Sequence, residues 1–145
     1  MATPAYDQNN IFAKILRGEL PSTKVFEDEH ALVIMDVMPQ GEGHTLVIPK
    51  AQSRNILDIG EDDLKRAITT VQRVARAVKK AFDASGVLVM QFNEPAAGQT
   101  VFHTHFHVIP RFEGVALKPH GSKMEDPDVL SNQAFRLRAV LGGQA

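Results

Sequence analysis

Three of the chain's six histidines fall at alternate positions in the run His103-Thr104-His105-Phe106-His107-Val108-Ile109. On a strand, successive side chains point to opposite faces, so the three imidazoles would share one face. Neighbouring rings would sit roughly 6–7 Å apart, given a rise of about 3.3 Å per residue. Phe102, Thr104, Phe106 and Val108 would occupy the other face, where they suit a core. A helix would scatter the rings around its circumference. Two chemistries fit the row. One is metal binding, because imidazole is the commonest ligand for zinc and similar ions. The other is nucleophilic catalysis at phosphorus. There a neutral imidazole attacks, a phosphohistidine-type intermediate forms, and flanking rings stabilise charge on the non-bridging oxygens. Ordinary surface histidines are the plain alternative, which fits a lone ring better than three in register.

The preceding loop bears on the choice. Asn93, Gly98, Gln99 and Thr100 bring amides, a hydroxyl and backbone N–H groups beside the row, donors suited to phosphate oxygens or to a departing group. Metal chelation would favour extra carboxylates, and Glu94 is the one acid in this loop. Taken singly, Asn93, Gln99 and Thr100 read equally well as turn residues.

The elements that must hold this row follow from pattern. Residues 1–9 read as a loose lead-in. Ile11, Phe12, Ile15 and Leu16 predict a short helix capped by Asn9 or Asn10 and stopped at Gly18. Val25-Phe26 and Ala31–Met35 read as strands, the second too continuously apolar to be one-sided. Asp36 ends it, and a Pro- and Gly-rich loop leads to a third strand, His44–Ile48, stopped by Pro49. Residues 53–59 have room for one helical turn. From Glu61 to about Ala84 the apolar positions Leu64, Ala67, Ile68, Val71, Val74, Ala75, Val78 and Phe82 recur at helical spacing. Acids at its start and lysines near its end match the macrodipole, with Gly86 as cap. Its basic outer face reads as solvated surface rather than a phosphate patch. A fourth strand spans Val87–Phe92, and the histidine strand is the fifth. The turns between them predict antiparallel pairing. The stretch after Arg111 is irregular, and a last helix is expected over Ser131–Leu141, ended by Gly142-Gly143.

Composition narrows the classes. A 145-residue chain with 43% hydrophobic and 23% charged residues fits one soluble domain, residues 1–145. A net charge of −1 offers no general attraction to nucleic acid or an anionic membrane. With no cysteine there is no disulfide, no thiolate nucleophile and no Cys-type zinc site. No apolar run approaches a membrane span, and no signal sequence opens the chain, so a cytoplasmic location is expected.

The run HTHFHVI resembles the signature of the histidine triad (HIT) family, His-φ-His-φ-His-φ-φ with φ apolar, Thr104 being the one departure. IFAKILRGELPSTKVFEDE, ALVIMDVMPQGEGHTLVIPK and FNEPAAGQTVFHTHFHVIPR are similar, in order, to the Hint-type branch, covering about residues 10–111; the tail over 112–145 matches weakly. The resemblance implies an α+β fold with an antiparallel sheet of about five strands, one long helix packed on it, and short N- and C-terminal helices. It implies a homodimer and a purine nucleotide substrate of the AMP or GMP type, cleaved at its α-phosphate through a nucleotidyl-histidine. His105 would be the nucleophile and His107 the phosphate contact, with His103 and His44 in support. Asp36 would bind the ribose, Val37, Phe12, Ile15 and Phe26 the base region, and Asn93, Gly98, Gln99 and Thr100 the phosphate and leaving group. A nucleoside phosphoramidase follows, requiring no cofactor. A dinucleoside polyphosphate hydrolase, a nucleotidylyltransferase and a non-catalytic nucleotide-binding protein are the alternatives. Some bacterial relatives hold a structural zinc through Cys-x-x-Cys plus histidines. Asn10-Ile11-Phe12-Ala13 stands there instead, so no metal is expected.

Overall fold

The computed structural model describes residues 4–121 and 123–142. In chain order the elements are α1 (Ile11–Leu16), β1 (Lys24–Glu27), β2 (Ala31–Met35), β3 (Thr45–Pro49), α2 (Glu61–Ala81), β4 (Gly86–Met90), a 3-10 turn (Pro95–Ala97), β5 (Phe106–Arg111) and α3 (Pro127–Leu141). The strands form one antiparallel sheet in the order β1-β2-β3-β5-β4. This is the expected α+β architecture, five strands with the long helix packed across them.

Strand alternation divides the molecule. Val33, Met35, Val47, Phe106 and Val108 point to one face, where α2 and α3 cover them. Leu32, Ile34, Leu46 and Ile48 point to the other, where Phe12 of α1 packs. With both faces covered, every residue of β2 and β3 is buried, which is why those strands read as unbroken apolar runs. His107 pairs with Leu46 in register and so belongs to the α1 face. Because α1 is only six residues long, it leaves part of that face uncovered, and the site lies there.

Several boundaries differ from the pattern reading. The fifth strand begins at Phe106, so of the triad only His107 is in the sheet. Residues 101–105 are irregular because Thr104 pairs elsewhere: its N–H donates to Ser53 O at 2.9 Å and its hydroxyl lies 2.6 Å from Ser53 Oγ. That contact also explains a polar residue at a φ position, since Thr104 is fully buried. α2 stops at Ala81, and Asp83 in the left-handed region turns the chain, leaving Gly86 to open β4. Ile68 is 49% exposed rather than in the core. Residues 53–59 form turns without a helix. α3 starts at Pro127 rather than Ser131, with Asp126 accepting from Asp128 N. Gly142 ends it; residues 1–3 of the lead-in and Gly143 lie outside the described residues.

Candidate active site

Hydrogen bonds assign the proton on each imidazole. His103 Nε2 lies 2.7 Å from Pro49 O, which can only accept, so Nε2 carries the hydrogen. Its Nδ1 therefore accepts from the Tyr6 hydroxyl at 2.5 Å. His105 Nδ1 donates to His103 O at 2.6 Å, which leaves the lone pair on His105 Nε2. At His44, Nδ1 accepts from Gln40 N at 3.0 Å, so Nε2–H donates, reaching His107 Nδ1 at 2.9 Å. The proton of His107 must then sit on its Nε2. Among the described residues neither His105 Nε2 nor His107 Nε2 has a hydrogen-bond partner, yet no buried side-chain nitrogen or oxygen there is unpartnered. Both therefore open onto solvent space. A lone pair and an N–H donor stand side by side on rings whose centroids are 5.1 Å apart, tighter than a flat strand would give.

Burial keeps these rings uncharged. Desolvation holds His44 down to about 3, His105 to about 4 and His107 to about 2, and lowers His103 as well. Bonds to backbone carbonyls oppose the shift, His103 O for His105 and Pro49 O for His103, whereas neighbouring imidazoles deepen it for His107. A neutral His105 keeps its lone pair at neutral pH, as a nucleophile requires. Asp36 Oδ2 lies 3.4 Å from His44 Nε2, but His44 is neutral, so this is a dipolar contact and not an ion pair. Burial raises the Asp36 carboxyl, and Met38 N donating to Oδ1 at 2.8 Å opposes the rise.

Those groups close one end of an apolar cavity of about 180 Å³. Phe12, Ile15, Ile34, Val37 and Leu46 line its walls, and Asp36, Thr100, His105 and His107 supply polar atoms. Phe12 stands edge-on to His105, centroids 4.7 Å apart. A second cavity, bounded by Gln40, Phe92, Gly98 and Thr100, meets the first at the histidines. Gly98, at φ +98°, turns the backbone there where a side chain would be strained.

Three expected contacts lie elsewhere. Phe26 is on the opposite face of the sheet, in the core beneath α2, because a bulge in β1 turns Val25 and Phe26 both inward. Gln99 is buried with its amide fully engaged: Oε1 accepts from Asn55 Nδ2 and Glu94 N, and Nε2 donates to Arg54 O and Val101 O. Asn93 Oδ1 accepts from Ile56 N and from Gln91 Nε2. Both side chains brace the loop against residues 53–58. Arg54 completes the brace with a two-point ion pair to Glu94 at 2.8 and 2.9 Å.

Residues 17–114 match the family model of the HIT domain. The chain belongs to the HIT family. It is 52% identical to a Hit-like protein involved in cell-cycle regulation from Bartonella henselae, whose crystal structure superposes with a TM-score of 0.89 over 94% of this chain and 100% of that one. Protein hit of Bacillus subtilis is 38% identical over 84% of this chain and 88% of its own length. Adenylylsulfatase HINT3 of Arabidopsis thaliana is 34% identical over 79% of this chain and 61% of its own.

Within this HIT site the question of a metal is one of protons. Asp36, His44 and His107 present ligand atoms within 4.8 Å of one another. A cation there would need lone pairs on both His44 Nε2 and His107 Nδ1. The bond from Gln40 N to His44 Nδ1 puts a proton between them instead, so the donor set does not fit. Four residues of the HIT site escaped the sequence reading: Tyr6, Arg54, Asn55 and His120. Tyr6 was hidden in a polar lead-in, and Arg54 and Asn55 in a segment without periodicity. His120 sits in the irregular tail; being a histidine was its only signal.

Proposed function

We propose that this HIT protein is a nucleotide hydrolase that cleaves a purine nucleoside 5′-phosphoramidate at its α-phosphate through a nucleotidyl-His105 intermediate. Family membership supports the coarser part, since HIT proteins are in general nucleotide-binding hydrolases. The observation that carries the finer part is the proton assignment, a lone pair on His105 Nε2 beside an N–H on His107 Nε2. The lone pair attacks phosphorus while His107 donates to a non-bridging oxygen. Tyr6 and Pro49 hold His103, whose carbonyl fixes the His105 tautomer; Gln40 and His44 do the same for His107. These four groups position and do not touch substrate. The apolar cavity accepts the base against Phe12, Ile15 and Val37, and the free lone pairs of Asp36 accept the ribose hydroxyls. Thr100 and the Gly98 backbone face the departing group. A homodimer fits the edge strand β4, whose Val89 is 43% exposed on a β-edge that a second copy would extend.

The name of the Arabidopsis relative, an adenylylsulfatase, favours a second reading: the same attack on an adenylyl phosphorus with sulfate departing. The geometry at phosphorus is common to both. The test is His105→Ala beside wild type on adenosine 5′-phosphoramidate and adenylyl sulfate, with AMP binding measured by calorimetry. Loss of turnover with AMP affinity kept, and a nucleotidyl adduct trapped on His105 in wild type, is the expected result. Turnover retained by His105→Ala sinks the mechanism. The ratio of the two wild-type rates decides between leaving groups.

A further inference from the structure

The tail after β5 returns to the site. Lys118 N donates to Gln40 O at 2.8 Å and Glu125 N to Val37 O at 2.9 Å, so the loop that carries Asp36 holds the tail at two points. His120 thereby reaches the junction of the two cavities, which share Thr100, His105, His107 and His120 as lining. Its ring stands edge-on to that of His107, centroids 5.9 Å apart. No Lys or Arg lines either cavity among the described residues. The three other imidazoles near the reacting position are buried and neutral, whereas His120 is exposed to water. Among the described lining residues His120 is the exposed imidazole, and it faces a phosphate or a departing group at this junction from the solvent side.

We propose that His120 is a catalytic residue, a solvent-facing acid and base that serves both halves of the reaction; this rests on the nucleotidyl-histidine reading above. In the first half the His105 Nε2 lone pair forms a bond to phosphorus. The bond from phosphorus to the departing nitrogen breaks with its electron pair on nitrogen, and the proton of the His120 imidazolium goes to that nitrogen. An amine leaves, and His120 is neutral. In the second half water attacks phosphorus, its proton passes to His120, and the bond to His105 breaks with the pair returning to Nε2. The nucleoside monophosphate leaves and the imidazolium is restored. The titratable groups facing His120 are Asp36, His44, His105 and His107; Lys118, Lys123 and Glu125 are the charged neighbours on its own segment.

The experiment compares wild type with His120→Gln on two AMP derivatives, an alkyl phosphoramidate whose amine must be protonated and a 4-nitrophenyl ester whose phenolate departs without a proton. In the nucleotidylation step, measured as the burst of leaving group, removing a general acid is expected to cost His120→Gln ~100-fold or more on the alkyl phosphoramidate. The ester burst should change by only a few-fold. An equal loss on both substrates, or a change confined to KM, overturns the proposal while leaving His105 chemistry intact. Wild type that forms no adduct and turns over neither substrate overturns the mechanism and His120's role together.

Discussion

Acidification forces a charge onto imidazoles that the fold holds neutral, and so costs the folded state stability. His44, His105 and His107 fall from the ordinary 6.5 to about 3, 4 and 2, and His103 is lowered too, all chiefly through burial. The unfolded chain therefore binds more protons than the folded one below about pH 6.5. Stability is complete above that value and is lost as the pH falls toward the folded values. Each pH unit in this window removes up to about 1.4 kcal/mol per ring. From 6.5 to 5.0 three rings would remove up to ~6 kcal/mol, against a total of ~5–15 kcal/mol for a domain of this kind. Glu27, lowered by its bonds to Lys24 and Lys50, acts in the same direction but only below its ordinary 4.5, outside the window. Asp36 acts oppositely, because burial raises its carboxyl and the folded state takes that proton first. The assay is urea unfolding followed by circular dichroism at half-unit steps between pH 7.5 and 5. The unfolding free energy should fall steeply, and His44→Asn should shed about one ring's share of the slope. A fall below ~1.5 kcal/mol across the window, less than one ring supplies, would refute the claim that the row is neutral as a group.

Two side-chain changes test the scaffold. Tyr6→Phe removes the donor to the buried His103 Nδ1 and should cost ~1–3 kcal/mol in urea unfolding; an unchanged midpoint would mean that the lead-in does not support the row. Gly43→Ala would place a Cβ 2.8 Å from Phe82 Cε2 and Pro110 Cγ at a backbone φ of +77°. A loss of at least ~2 kcal/mol is expected, and a neutral result would contradict the close approach of the His44 loop to the core.

Pattern alone located the sheet and the long helix because their residues answer to local periodicity. Leu32, Ile34, Leu46 and Ile48 alternate with Val33, Met35 and Val47 across two covered faces, and α2 keeps a core stripe through Ala67, Val71, Val74 and Val78. Ile68 departs from that stripe because spacing names a face without stating how far the neighbouring elements extend over it.

The site divides along the same physical line. His103, His105 and His107 were legible because alternate spacing carries meaning within a few residues, and Asp36 and His44 because the resemblance extends to their blocks. The strand reading of the row failed at Thr104, whose partner Ser53 is fifty-one positions away. No local rule encodes such a pairing. Asn93 and Gln99 show the converse. Their types fit phosphate contacts, yet the buried amide of Gln99 is fully occupied by Arg54, Asn55, Glu94 and Val101. A buried amide has to be satisfied within the protein before it can serve a ligand. Under the proposed function, the polar groups left for substrate are those whose bonding capacity the fold does not exhaust: His105 Nε2, His107 Nε2–H, the Thr100 hydroxyl, the open side of Asp36, and the exposed ring of His120. That criterion needs the complete set of partners, and it selects a phosphate-sized group of atoms at one end of an apolar cavity.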